Sequence, residues 1–208
     1  MTRILTKIPP LLLLTCCVVP AADGFVSLMP QRDLSEHWTV EGEAPAEAWM
    51  LRDGSIATTG QPNGFLRSRK KYRNFILHAD WRFQPGWKAP KTGNEWPNAG
   101  FFIFAGPIQN GWPTSLEVQG YFGEAGSLFG VRGGRITGAK RGPFVTDRPA
   151  FGSWDHYVVT AINGKVTVEL NGVVVNEGTN AYPEEGTVCL QSEGWPVYYR
   201  NVEIKELP

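Results

Sequence analysis

Over much of its length this chain alternates hydrophobic and polar residues with a period of two, the mark of half-buried β-strands. The alternation is clearest from Asn74 to Gln84. Phe75, Leu77, Ala79, Trp81 and Phe83 fall on one side, His78, Asp80, Arg82 and Gln84 on the other. This predicts a long antiparallel strand with one packed and one wetter face. His78 and Asp80 share the wetter face, as a general-base pair or as part of a cross-strand surface network. Gly100–Ala105 is instead a continuous apolar run, as in a strand covered on both sides. The strand after it alternates again, with Leu116 and Val118 pointing one way and Glu117 and Gln119 the other.

Short strands recur along the rest of the chain. Phe25–Leu28 opens it, and Trp49–Leu51 pairs with Ser55–Thr58 across Arg52-Asp53-Gly54. Gly64–Ser68 and Gly126–Val131 read as further strands. In the last third, Trp154–Ile162, Lys165–Leu170 and Val173–Asn176 are separated by Asn163-Gly164 and Asn171-Gly172. Asn-Gly suits tight turns whose two central residues need positive φ, so a three-stranded meander is expected. Thr187–Gln191 and Val197–Lys205 close the series. The basic run Arg67–Arg73 reads as a solvated turn rather than a nucleic-acid patch. Regularly spaced short strands with no helical period between them predict an all-β fold, a β-sandwich of two antiparallel sheets. One segment interrupts the pattern: Arg132–Arg148 is Gly- and Arg-rich and irregular. Long ordered loops in compact domains are often functional.

Composition supports this reading. The 208 residues include 24 Gly, 16 Pro, eight Trp, six Tyr and eleven Phe, which suits short strands and many turns. Twenty basic and twenty acidic residues cancel, so no global field favours nucleic acid or an anionic membrane. Met1–Ala22 has the form of a secretory signal peptide: Arg3 and Lys7, a short apolar stretch from Leu11 to Val19, then Pro20-Ala21-Ala22. It is too short and too broken by proline to span a membrane. The protein is therefore expected to be exported, periplasmic or extracellular, with residues 23–208 as its one domain; lipid anchoring at Cys16 or Cys17 stays open. Cys189 is then the only cysteine of the mature chain, so no intramolecular disulfide can form, and it reads as an inert strand thiol.

An acid and an amide on an otherwise apolar strand need a reason, because unpaired buried polar groups are costly. Glu117 and Gln119 either lock a sheet edge to a loop or form the polar floor of a sugar-sized cleft. Several tryptophans sit beside proline in turn-like contexts: Trp96-Pro97, Trp112-Pro113 and Trp195-Pro196, with Trp87 in the same long loop as Trp96. They read as flat platforms for sugar rings at a binding mouth, or as plugs between loop and sheet. Trp81 and Trp154 read as core residues. No His-x-His or His-Glu-x-x-His spacing appears, so the sequence has no metal-ligand pattern of its own, and a metal at Glu117, His78 or Asp80 stays open. No Gly-rich phosphate loop appears either, so no cofactor or nucleotide is predicted.

A set of short motifs, in order, resembles one known family. Asn98-Ala-Gly-Phe-Phe, Leu116-Glu117-Val118-Gln119, Gly126-Ser-Leu-Phe-Gly130, Gly152-Ser-Trp154-Asp155, the Asn171-Gly172 turn, Leu190-Gln191 and Tyr199-Arg200-Asn201-Val202 are similar to blocks of the 3-keto-disaccharide hydrolase family. The similarity runs from about Gly24 to the C-terminus. It implies a concanavalin A-like jelly-roll sandwich and cleavage of glycosides whose sugar carries a ketone at carbon 3. Two departures stand out. Gly120-Tyr121-Phe122 stands where the family strand runs on to an Asp, and Ser192-Glu193 stands where a His often follows Leu-Gln.

On that basis Glu117 is expected as the base, with Gln119 and Gln191 as orienting amides. Arg200 would donate to Glu117 or to an oxyanion, or form a structural salt bridge with Glu117, since it shares strand parity with Val202 and Ile204. Asn98, Trp112, Trp195 and His78 would contact the sugar, and His156 is a secondary base candidate. The alternatives are a carbohydrate-binding module on the same sandwich and an adhesion or scaffold domain.

Overall fold

A computed structural model describes residues 24–86, 97–144 and 150–208. The expected signal peptide with Cys16 and Cys17, and the loop residues Trp87 and Trp96, lie outside the described residues. Two antiparallel sheets pack face to face, as the alternation predicts. Among the described residues the larger sheet has nine strands, in the order Arg135–Thr137, Val173–Tyr182, Lys165–Leu170, Asp155–Ile162, Phe75–Phe83, Val197–Glu206, Ser55–Thr58 and Trp49–Arg52, with Val26–Ser27 added on Val197–Glu206. The smaller has six: Leu128–Val131, Ser115–Gln119, Gly100–Ala105, Gly186–Ser192, Gly64–Tyr72 and Trp38–Gly42.

The core lies between the sheets. Trp81, Tyr157 and Tyr199 of the larger sheet meet Phe101, Ile103, Leu116, Val118 and Leu190 of the smaller. Phe101 packs against the rings of Tyr157 and Tyr199 with centroids 5.5 and 5.7 Å apart. The two tyrosine hydroxyls also tie the layers, donating to the backbone carbonyls of Gln119 (2.8 Å) and Gln191 (2.7 Å). Because side chains alternate across a strand, inward Leu116 and Val118 put Glu117 and Gln119 on the outer face of the smaller sheet. Phe102, Cys189 and Phe65 share that face and form a second, smaller apolar cluster under Trp112. All six residues of Gly100–Ala105 are consequently buried, as its unbroken apolar run predicts.

The turns follow their sequence signals. Asp53-Gly54, Asn163-Gly164 and Asn171-Gly172 all have positive φ at both positions. Three expectations are corrected. Arg67–Arg73 is not a turn: most of it continues the strand Gly64–Tyr72, and Arg67 donates to the carbonyls of Ala105 and Gly106. Trp154 precedes its strand and leaves the core, its ring lying 4.3 Å from the Arg82 guanidinium and 3.9 Å from that of Arg200. Arg200 does not share a face with Val202 and Ile204. Asn201 has φ 49°, and the register of Val197–Glu206 against Phe75–Phe83 shifts between Arg200 and Glu203. A bulge of this kind moves the side chains before it to the opposite face.

Candidate functional site

Four of the residues expected at a sugar site gather at one end of the smaller sheet's outer face. Glu117 lies opposite Phe102 on one neighbouring strand and Phe129 on the other. Gln119 lies opposite Gly100, and Gln191 follows Leu190, which pairs with Phe101. Asn98 precedes Gly100–Ala105 and forms isolated bridges to Glu193 and Gly194. A cleft of about 500 Å³ opens here, lined by Asn98, Gln119, Tyr121, Glu124, Arg141 and Pro143 among others.

Glu117 is only 7% exposed. Burial pushes its carboxyl up to about 8, helped by the nearby charge of Glu193 and opposed by the Gln191 amide and the Arg141 guanidinium. At neutral pH it therefore rests mainly protonated, not as the ionised base expected from the sequence. Glu193 is raised too, by burial, with a hydrogen bond from Asn98 working the other way. Two amide oxygens in this niche, Gln191 Oε1 and Asn98 Oδ1, are buried and accept no hydrogen bond. Gln191 is 1% exposed, so the orphaned acceptor is costly unless a donor arrives. A protonated Glu117 can donate to a neighbour or a ligand; an ionised one cannot. Gln119 is fixed differently. Its Oε1 accepts from the Tyr121 N–H at 2.8 Å, leaving its NH₂ end as the donor to offer a ligand.

The positive charge at the cleft comes from Arg141, which the sequence reading did not single out. Its guanidinium lies 4.1 Å from the centroid of Phe129, the cross-strand partner of Glu117, and its Nε donates to Glu124 at 3.1 Å. The residues on either side are clamped. Asn176 accepts from the Lys140 N–H (3.0 Å) and donates to the Lys140 carbonyl (2.7 Å), while Ser127 Oγ accepts from the Gly142 N–H (2.7 Å). Asn176 and Ser127 are both buried. The irregular Gly/Arg-rich excursion was the available signal, since it carries Arg141 back to the sheet.

The remaining expected residues lie elsewhere. Arg200 does not reach Glu117. It projects from the outer face of the larger sheet, where its Nε donates to Asp80 at 3.0 Å. His78 is on that same face, its Nδ1 3.2 Å from Glu203 and its ring 4.5 Å from that of Phe25. Asp80 pairs with His156 (Nδ1 to Oδ1, 2.6 Å) and accepts from Asn201 (2.8 Å). The His78–Asp80 alternatives thus resolve to a surface network in which each residue has another partner. Trp112 is on the Glu117 face but stacks on Phe65 (6.0 Å) and meets Phe102 edge-on (5.5 Å), as a plug over the apolar cluster. Trp195 packs against the main core. Neither lines the cleft. Cys189 is fully buried, and its thiol is pushed up to about 12 chiefly by that burial. Among the described residues, no group of three or more His, Cys, Asp or Glu is placed to hold a metal ion, and no helix is long and apolar enough to cross a membrane.

Comparison with known proteins follows the same lines. No curated protein sequence matches the chain. Among solved structures, a candidate glycosyl hydrolase of Parabacteroides distasonis superposes with a TM-score of 0.67 at 20% identity, over 89% of this chain and 94% of that one. The carbohydrate-binding module CBM66 of Bacillus subtilis gives 0.59 at 13% identity, over 82% and 96%. A Bacillus licheniformis β-glucanase gives 0.60 at 10% identity, over 88% and 97%. These likenesses establish the jelly-roll sandwich. The model of the 3-keto-alpha-glucoside-1,2-lyase-like domain matches residues 24–205, and the chain belongs to that family.

Proposed function

We propose that this protein is an exported enzyme that cleaves glycosides bearing a ketone at carbon 3, by elimination across C1 and C2 followed by addition of water. The observation that carries the reading is a buried carboxyl, Glu117, held mainly protonated at neutral pH beside a polar cleft in a chain of a 3-keto-glucoside lyase-like family. A 3-ketone acidifies the C2–H. Its removal gives an enolate, which expels the oxygen on C1. That oxygen needs a proton as it leaves, and a neutral Glu117 has one to give. Arg141 and the Gln119 amide supply donors for the enolate oxygen, with no paired carboxylates at fixed separation required. The buried acceptors Gln191 Oε1 and Asn98 Oδ1 suit sugar hydroxyls. The base role expected of Glu117 belongs to the second half of the cycle, when its carboxylate draws a proton from the incoming water.

A second reading is a binding module on the same fold. Orphaned acceptors suit sugar hydroxyls whether or not a bond is broken, and the two departures from the family pattern favour loss of turnover. Incubation with a 3-keto-aryl glucoside beside the unoxidised glucoside separates the two, since aglycone release marks an enzyme and saturable binding without release marks a module.

A further inference from the structure

Elimination begins with loss of the C2 proton, and a mainly protonated Glu117 is a poor group to take it. The neighbouring carboxyl is Glu193. It follows directly on the strand Gly186–Ser192, is bridged to Asn98 through the backbone, and is hydrogen-bonded by the Asn98 side chain. Its charge is felt by Glu117. The cleft residues Asn98 and Gln119 therefore sit next to two carboxyls, Glu117 buried and Glu193 half-buried. Like charges so placed resist double ionisation, and each carboxyl is raised above its ordinary value, chiefly by burial. Among the described residues, Arg141 with its partner Glu124, the cleft-lining Tyr121 and the buried Tyr199 also face this niche.

We propose that Glu193 is the second carboxyl of the reaction, the base that takes the C2 proton while Glu117 protonates the departing C1 oxygen. The assignment rests on the 3-keto-glycoside reading above. In the first step the C2–H pair moves into the ring to form the enolate, and Glu193 becomes the acid. The enolate then re-forms the C3 ketone and a C1=C2 double bond as the C1–O bond breaks. The leaving oxygen takes the Glu117 proton, releasing an alcohol or phenol and an unsaturated ketone. Water next adds at C1, giving its proton to the Glu117 carboxylate, and Glu193 returns its proton to C2. Both carboxyls end as they began, and no oxidant or reductant is consumed. The single negative charge passes from the Glu193 carboxylate to the enolate and then to the Glu117 carboxylate, and it returns through the enolate to Glu193 as water adds.

A structural Glu193 would serve only to hold Asn98, and the two roles differ in what they change. The test measures deuterium exchange at C2 of a 3-keto-glucoside in heavy water together with aglycone release, for the wild type, Glu193→Gln and Glu193→Asp, with thermal melting as the check on folding. Glu193→Gln keeps the hydrogen-bonding shape and is expected to lose both exchange and release by at least about 100-fold. Glu193→Asp is expected to retain a measurable part of both. Exchange in Glu193→Gln within a few-fold of wild type, with the wild type active, overturns this assignment and leaves the proposed function standing. A wild type that neither exchanges C2–H nor releases aglycone overturns the proposed function, and this assignment with it.

Discussion

A Cβ on Gly100 would stand 2.6 Å from Gln191 Oε1 and 2.8 Å from the Val118 carbonyl oxygen. The Gln191 side chain thus occupies space available only because its neighbour has none, and it occupies it beside Glu117. Gly100→Ala is expected to displace Gln191 and strain the Gly100–Ala105 strand, at a cost of about 1–3 kcal/mol. Thermal unfolding measures that cost, and sugar binding is expected to weaken with it. An unchanged melting temperature would show that the fit is loose.

Arg141 is held at the cleft by its neighbours in the chain. Asn176→Ala removes three hydrogen bonds, to the Lys140 N–H and to the carbonyls of Lys140 and Gly126. The expected loss is about 1–3 kcal/mol of stability. Turnover of a 3-keto-glycoside is expected to fall further than stability explains, through kcat rather than KM, because Arg141 would act on developing charge. A pure stability loss with normal kcat would detach Arg141 from the chemistry.

The polar cluster on the larger sheet gives the opposite result. Burial works to raise the Asp80 carboxyl, but hydrogen bonds from His156, Arg200 and Asn201 outweigh it and hold Asp80 below its usual range. His156 is raised in turn, chiefly by its bond to Asp80. Asp80 therefore contributes stability that is present above about pH 4 and lost as pH falls through its lowered folded value. Asp80→Asn is expected to cost about 1–3 kcal/mol at pH 7 and to leave kcat unchanged, since the cluster lies on the sheet face away from Glu117. A drop in kcat with stability intact would place this cluster in the reaction.

How much of this was legible in the sequence depends on what fixes each residue. Periodicity found the strands and the core because burial sets both. It placed Glu117 and Gln119 on a face opposite Leu116 and Val118, and the Asn-Gly turns marked the meander. Arg200 was misplaced because parity assumes an unbroken strand, and nothing local announces the left-handed Asn201 that reverses it. Arg141 and Glu193 were missed as site residues for another reason. Their positions depend on contacts with Asn176, Ser127 and Asn98, which lie 35, 14 and 95 residues away along the chain. Trp112 looked like a platform because its Trp-Pro turn is visible in sequence, whereas Phe65 and Phe102 beneath it are not. The protonation of Glu117 comes from the depth of its niche, which no residue pattern encodes.

That protonation leaves a thermodynamic trace. Glu117 is raised from about 4.5 in the unfolded chain to about 8 when folded, so between those values the folded protein binds a proton that the unfolded chain does not. Its contribution is fully present below about pH 4.5 and is lost as pH rises through about 8. Glu117→Gln, which carries no titrating proton, is expected to flatten the fall in melting temperature over that window. An unchanged pH profile in the mutant would mean that Glu117 titrates normally and is ionised at rest.

The most direct test is aglycone release from a 3-keto-aryl glucoside by the purified wild type and by Glu117→Gln, each beside the unoxidised glucoside. Release by the wild type from the keto sugar alone, reduced at least about 100-fold in Glu117→Gln, is the predicted result. Keto sugar left intact by a folded wild type, or cleaved equally well by Glu117→Gln, would contradict the account.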